Sequence, residues 1–420
     1  MNRREFIKNA ATLALFAPLA RFEAFAAPAP AVPGLVDKQS SLREGPQVAR
    51  RTYKNTALTV PLMGMGMMRL PIRGGNKADI DYEASEKIIA RAMKAGMNYF
   101  DTAWFYHDGE SENCVGRLLS KYPRESYYLA SKMPCRALRT EADVDRIFKA
   151  QLRKCKVEYF DFYLVHALNA RLWKLSQDFH VYEYLKKQQA AGKIRLLGFS
   201  FHDSYEVLRE IANAKQWDFA QIQLNYLDWK GYHSKEQYEI LTRRGIPAII
   251  MEPLKGGRLA SIRPEAEAIL RKARPNDTPA AWAFRFVGSL PNVLLMLSGM
   301  TQIEHMEENI KTLSPFEPLT EKERLVMAEA FGKDSVDAVP CTACEYCLPC
   351  PATVNIPKVF RIYNQFKSTG NKALFQKELG ALDADDNGAA SCVSCGVCLK
   401  KCPQKIQIPT WMKTIAREQG

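Results

Sequence analysis

Eight of the eleven cysteines fall between positions 341 and 402, in two runs. The second run places Cys392, Cys395, Cys398 and Cys402 before Pro403 in the order C-x2-C-x2-C-x3-C-P. That is the spacing of bacterial ferredoxins that hold two 4Fe–4S clusters. The first run, Cys341, Cys344, Cys347 and Cys350 before Pro351, is one residue shorter ahead of its last cysteine. Short spacing lets three thiolates of one loop reach one face of a cubane, and in such motifs the fourth ligand comes from the other run. The expected sets are Cys341, Cys344 and Cys347 with Cys402, and Cys392, Cys395 and Cys398 with Cys350. Two zinc ions, or disulfides formed outside the cytoplasm, are the competing readings. Four cysteines in about a dozen residues, closed by proline, crowd a single ion and favour the clusters. Between the runs, helical patterns are expected at 359–367 and 372–379, and a solvated loop at 381–390.

Upstream, from about 58 to 312, short apolar runs alternate with amphipathic stretches. Strands are expected at 62–67, 97–101, 127–131, 162–166, 196–200, 220–224, 248–252 and 294–298, and helices at 82–95, 141–154, 181–191 and 204–214. The strand candidates are short and apolar, as buried parallel strands are. Eight strand–helix units in ~250 residues make the arithmetic of a (β/α)8 TIM barrel. A doubly wound sheet would carry a glycine fingerprint after its first strand, and Gly64-x-Gly66 lacks the third glycine. Barrel chemistry sits at the C-terminal strand ends. There the sequence places Asp101 with Tyr106 soon after, Lys132, His166, Ser200 with His202, Gln221 and Asn225.

Asp101, Tyr106, Lys132 and His166 on successive strand ends resemble the tetrad of the aldo/keto reductases. Gly198-Phe199-Ser200, Gln221, Pro253-Leu254-Lys255-Gly256-Gly257 and Glu308-Asn309 carry the resemblance further, over roughly 52–315. With the cysteine tail, nearly the whole chain resembles the ferredoxin-fused members of that family. The resemblance implies Tyr106 as general acid/base, Lys132 as its tuner, Asp101 as the lysine's partner and His166 as the group that orients a substrate oxygen. Physical chemistry agrees. Carbonyl reduction needs a hydride at carbon and a proton at oxygen, and a free phenol near pKa ~10 gives its proton only with help from a neighbouring cation. By position, the resemblance implies a nicotinamide site at Ser200, Gln221 and Met251. It implies a pyrophosphate loop at Leu254, Lys255, Gly256 and Gly257, an adenosine end at Gly299, Met300, Glu308 and Asn309, and a loop at Gly66, Met68 and Arg69. Phe201, where many members have asparagine, and Met251, where many have an aromatic ring, are departures. No evident 2′-phosphate grip lies near 299–305, so NADP or NAD remains open.

The 420-residue chain carries a net charge of +13, with 47% hydrophobic and 25% charged residues, which excludes global disorder. No nucleic-acid module is recognisable. The longest uncharged run, 286–303, is broken by glycine and proline and makes no membrane span. The start, Arg3-Arg4-Glu5-Phe6, then an apolar stretch and small residues around position 26, resembles a twin-arginine signal. Expected segments are a signal at 1–26, a linker at 27–51, the barrel at 52–315, a connecting helix at 316–335 and a ferredoxin-type domain at 336–420.

The resulting expectation is a periplasmic, nicotinamide-dependent oxidoreductase on a small carbonyl or alcohol, wired through two 4Fe–4S clusters to an unknown redox partner after passage through the twin-arginine export machinery. The alternative is a catalytically silent barrel that serves as an electron-transfer or binding scaffold.

Overall fold

The computed structural model describes residues 38, 42–54, 56–331 and 339–419. The expected signal, most of the linker and the end of the connecting helix lie outside them. The chain forms two compact units. One comprises the described residues up to Pro253 together with Ala283–Leu319, and the other Leu254–Trp282 together with the described residues from Thr320 on.

The first unit holds a closed, all-parallel eight-stranded barrel. In chain order its strands follow a short antiparallel pair, β1 (Arg50–Thr52) and β2 (Thr59–Pro61). They are β3 (Met63–Gly66), β4 (Tyr99–Asp101), β5 (Tyr128–Met133), β6 (Phe160–Leu168), β7 (Ile194–Phe201), β8 (Phe219–Gln223), β9 (Ala248–Met251) and β10 (Val293–Ser298). Each expected strand is present within two or three residues. Helices intervene as the apolar periodicity predicts. Tyr82–Lys94 starts on Asp81, whose carboxylate accepts from the Ala84 amide at 3.0 Å, and buries Ile88, Ile89, Ala92 and Met93.

The β1–β2 hairpin was not foreseen. Its residues Tyr53, Leu58 and Val60 share a buried cluster with Tyr99, Tyr128, Phe162, Leu196 and Phe219 from inside the barrel. Tyr53 donates to the Asp218 carbonyl just ahead of β8, so the hairpin stoppers the N-terminal mouth. Interior aromatics need room. A Cβ on Gly198 would stand 2.5 Å from the Phe219 carbonyl oxygen and 2.8 Å from its ring, so glycine there admits Phe219 to the core.

The expected linker boundary is corrected by the same packing. Lys38 is buried, pairs with Asp161 at 2.7 Å and donates to the Tyr127 carbonyl at 2.6 Å. Val48 is buried, and the strand begins at Arg50. An apolar-poor stretch conceals this role, because its anchoring is ionic.

The second unit contains helices Pro264–Ala273 and Glu321–Phe331, then Ile356–Thr369, Lys372–Ala384 and Ile408–Gln419. The 254–282 stretch therefore clusters with the tail rather than with the barrel expected to own it. Arg274 pairs with Glu323, and Thr320 and Glu323 cap each other's backbone amides at the head of the expected connecting helix. Helix Lys372–Ala384 runs further than predicted and takes in the start of the expected 381–390 loop. Among the described residues no helix is long and apolar enough to cross a membrane.

Asp161 also pairs with Arg124 at 2.7 Å, so loss of Lys38 weakens a buried network rather than stranding a lone charge. Lys38→Met is therefore expected to lower the barrel unit's unfolding free energy by about 1–3 kcal/mol in denaturant titrations. A variant as stable as the parent would return residues 38–51 to the status of linker.

Candidate active site and cysteine-lined tail

Lys132 leaves β5 fully buried, at 0% exposure, with Asp101 at the end of β4 only 2% exposed. Its Nζ lies 2.5 Å from Asp101 Oδ1, 2.8 Å from the Thr102 carbonyl and 3.3 Å from the Tyr106 hydroxyl. Tyr106 opens a helical turn just past β4, and its ring meets that of His166 edge-on, with centroids 6.1 Å apart. The four expected residues are thus brought together.

Behind them stands a polar brace that sequence reasoning missed. Ser131 donates to Glu112 Oε1 at 2.7 Å, and Gln151 Nε2 reaches the same oxygen at 2.6 Å. Gln151 Nε2 also reaches the Lys132 carbonyl at 3.0 Å, and the Tyr163 hydroxyl bonds Gln151 Oε1. All are buried. The available signal was a glutamine on the apolar face of helix Ala142–Cys155, between Phe148 and Cys155.

Burial sets the protonation states. It holds the Tyr106 phenol well above the ordinary tyrosine range, and the charges of Asp101 and Glu252 push the same way while Arg69 opposes them. Desolvation is the largest of these causes, so the hydroxyl keeps its proton at rest. Burial, then Lys132, Arg136 and His202, hold His166 well below the usual imidazole value, so it is neutral. Burial raises the Asp101 carboxyl, and the Lys132 ammonium pulls against it. His202 is held down to about 4 by burial, and its Nδ1 is buried without a partner among the described residues.

The pairing of β6 with β7 shifts register between Val165 and Leu168, and Ala167 sits at φ 54. Ser200 Oγ accepts from the Ala167 amide at 2.7 Å and so pins the bend that follows His166. Gln221 is buried, its Nε2 is 3.8 Å from the Met251 sulfur and its Oε1 has no partner among the described residues. An orphaned buried acceptor suits the amide N–H of a carboxamide, so Ser200, Gln221 and Met251 fit a nicotinamide. Phe201 is fully buried with its ring 6.5 Å from that of Phe199, two residues along the strand and on the face opposite Ser200. That departure therefore leaves the Ser200 face unaltered.

Gly66, Arg69 and Gly299 meet: a Cβ on Gly66 would stand 3.6 Å from the Ser298 carbonyl, and one on Gly299 3.0 Å from Arg69 Cβ. Met68 lies in the turn Met67–Arg69. Asn309 donates to Ser298 Oγ at 3.2 Å, Met300 is buried and Glu308 is half-buried.

Leu254, Lys255, Gly256 and Gly257 belong to the other unit. Gly256 has φ +67, and a Cβ there would lie 2.4 Å from the Thr342 carbonyl oxygen. The missing side chain thus makes room for the first cysteine turn of the chain itself, which corrects its reading as close approach to a pyrophosphate. Gly257, at φ +93, faces open space.

The two cysteine runs share one backbone. Ala343 and Glu345 flank Cys344 in the left-handed region, as Ser394 and Gly396 flank Cys395. Thr353 and Lys405, each three residues past the last cysteine of its run, repeat the feature. Both runs then read Ile-Pro into a helix, at Ile356 and Ile408. This internal repeat was readable, since both Ile-Pro pairs stand six residues past a Cys-Pro cysteine, yet it went unnoticed. In the first turn the Ala343 amide reaches Cys341 Sγ at 3.4 Å.

Burial raises the Cys347 thiol to about 12, and Cys344, Cys341 and Cys402 add to it by proximity. Burial also raises Cys398, with Cys392, Cys350 and Cys395 among its neighbours. Cys341, Cys344 and Cys402 thus lie near Cys347, and Cys350, Cys392 and Cys395 near Cys398, with a cavity lined by Cys350, Cys392, Cys395, Cys398, Val354 and Ile408 beside the latter. All eleven cysteines are free thiols. Among the described residues no three metal-binding groups stand close enough to share a single ion. The grouped thiols beside a hollow are of the chemistry that holds an iron–sulfur cluster.

A family model for aldo/keto reductases matches residues 62–324. The chain belongs to the aldo/keto reductase family. A 4Fe–4S dicluster domain matches 340–406, so this reductase carries an iron–sulfur tail. It is 24% identical over 310 residues to the NADH-specific methylglyoxal reductase of Escherichia coli, covering 62% of this chain and 91% of that one. It is 28% identical over 229 residues to the 6-dehydroglucose reductase of Novosphingobium aromaticivorans, covering 51% and 71%. Its fold resembles the holo form of an aldo-keto reductase of Bacillus halodurans, with a TM-score of 0.56 and 22% identity over 68% of this chain and 96% of that one. An aldo-keto reductase of Klebsiella pneumoniae in complex with NADPH gives 0.54 and 22%, over 69% and 95%.

Gly256→Ala combines a left-handed backbone with a clash at Thr342 and is expected to destabilise the tail by about 2–3 kcal/mol, against about 1 kcal/mol for Gly257→Ala in open space. Denaturation of the iron-loaded protein reads both, and equal losses would show that the Thr342 contact is not made.

Proposed function

We propose that this aldo/keto reductase interconverts a small carbonyl compound and its alcohol with a nicotinamide dinucleotide, and that two 4Fe–4S clusters connect it to a redox partner. The observation that carries the catalytic part is the placing of one buried ammonium against Asp101, the Thr102 carbonyl and the Tyr106 hydroxyl.

The nicotinamide, when bound, supplies or accepts the hydride. The remaining work falls to the chain. Tyr106 keeps its proton at rest, and gives it to the developing alkoxide oxygen as charge gathers there. Lys132 stabilises the phenolate left behind, and Asp101 keeps Lys132 charged in an interior that disfavours the cation. Neutral His166 donates a hydrogen bond to the same substrate oxygen and orients it. Ser200 and Gln221 would hold the carboxamide. The relatives include one named for NADH and the structures include one with NADPH, so the reading commits to the dinucleotide class.

In the tail, Cys341, Cys344, Cys347 and Cys402 would hold one cluster, and Cys350, Cys392, Cys395 and Cys398 the other. Clusters supply one-electron storage. The leader at 1–26 is proposed to send the chain through the twin-arginine route already folded, with nucleotide and clusters in place. Periplasmic protein should then carry bound nucleotide, and empty barrels with intact clusters would refute that part.

The direct test uses anaerobically purified protein. Tyr106→Phe should reduce carbonyl turnover roughly 10²–10⁴-fold while iron and sulfide content stay unchanged. Turnover equal to the parent would overturn the assignment. Because His166 is already neutral, kcat/KM should show no break near pH ~6.5, the ordinary imidazole value. A break there that disappears in His166→Gln would contradict the reading.

A further inference from the structure

The two cysteine sets differ in how the protein covers them. In the first, Thr342 and Cys347 are buried, and Gly256 backs onto the turn. In the second, Cys395 is exposed, and so are Val393 at 70%, Val397 at 40% and Leu399 at 37%. Only seven large hydrophobic side chains are exposed among the described residues, and three of them fall in this one loop. Apolar groups gathered in water at the rim of a built site mark an interaction surface.

The stretch of sequence that carries them has charge of one sign, between Asp386 and Glu418. Residues 387–417 contain Lys400, Lys401, Lys405, Lys413 and Arg417 and no aspartate or glutamate. Lys400 is exposed beside Leu399, and Lys401 is half-buried. The aspartates just before this stretch lie in or just after helix Lys372–Ala384, and Asp383 accepts from the Ala390 amide at 3.3 Å.

We infer that Val393, Val397 and Leu399, rimmed by Lys400 and Lys401, form the docking face for a one-electron carrier protein that presents an acidic ring around an apolar centre. The inference rests on the proposed clusters, since the face surrounds the second cysteine set. Three side chains with a basic rim suit the small contacts of transient electron-transfer pairs. A second copy of this chain would set lysine against lysine. A membrane would call for a broad amphipathic helix, and this rim is a loop with one short helical turn, Val397–Lys400. The exchange is balanced by single electrons: one partner loses one and the other gains one, with no bond made or broken and no proton moved.

The test titrates the iron-loaded holoprotein with an acidic plant-type ferredoxin as probe, by calorimetry at low and high salt. Val393→Asp and the double variant Lys400→Glu/Lys401→Glu are each expected to weaken binding about tenfold, and the double variant to flatten its salt dependence. The carbonyl turnover should not change in either variant, nor the clusters' electron paramagnetic resonance in Lys400→Glu/Lys401→Glu, which lies outside the cavity lining that includes Val393. Parental affinity in both variants would overturn the docking face while leaving the clusters standing. It would equally fall if the same substitutions instead abolished retention on phosphatidylglycerol vesicles or dissociated a dimer seen by sedimentation. Holoprotein without an iron–sulfur signal would overturn the cluster reading itself, and the inference with it.

Discussion

A lysine ammonium with no access to water is the constraint on which the barrel's chemistry depends. Taking such a charge from water is costly unless every proton finds an acceptor. Lys132 finds three, a carboxylate, a carbonyl and a phenol, on one short stretch of chain. The phenol is therefore the one acceptor whose proton can leave in reaction. The strand that carries Lys132 is braced from behind by Gln151, Glu112 and Ser131. Those groups touch no reactant; they position the one that tunes the acid.

Resting and reacting states differ in a way that the geometry explains. At rest, burial and two carboxylates disfavour the phenolate, so Tyr106 is stored as an acid. The ammonium at 3.3 Å does little for a neutral hydroxyl and much for an anion. Lys132 thus contributes most where charge develops, which is the condition for catalysis rather than for tight ground-state binding.

The tail solves a different problem. Its buried cluster includes Val354, Ile356, Phe360, Ile408 and Met412, with Cys341, Cys350, Cys392, Cys398 and Cys402 packed against it. The repeated left-handed residues around Cys344 and Cys395 turn each loop so that its thiols converge. Gly256 ties the loop that follows β9 to the first of these turns, backbone to backbone.

Much of this was legible in the residues. Eight parallel strands follow from short apolar runs at regular spacing, and polar residues at their ends carry the resemblance that singled out the tetrad. The spacing of the two cysteine runs carries the likeness to two-cluster ferredoxins, which implies the two ligand sets. Less legible was whatever rests on pairing rather than period. Lys38 anchors an ionic segment that reads as linker, Gln151 hides a polar brace in an apolar helix face, and Tyr53 stoppers the barrel from a hairpin of only three-residue strands. The reading of Gly256 went astray because a glycine shows that something comes close, not what it is. How deeply Tyr106 is buried, and hence how firmly it holds its proton at rest, was not legible, because sequence order shows neighbours along strands and not depth. Most direct for the central claim is the single-turnover rate of nucleotide oxidation by a carbonyl in Lys132→Met, followed by stopped flow with nucleotide binding measured alongside. The account predicts a loss of roughly 10²–10⁴-fold with binding retained. A rate equal to that of the parent enzyme would contradict it.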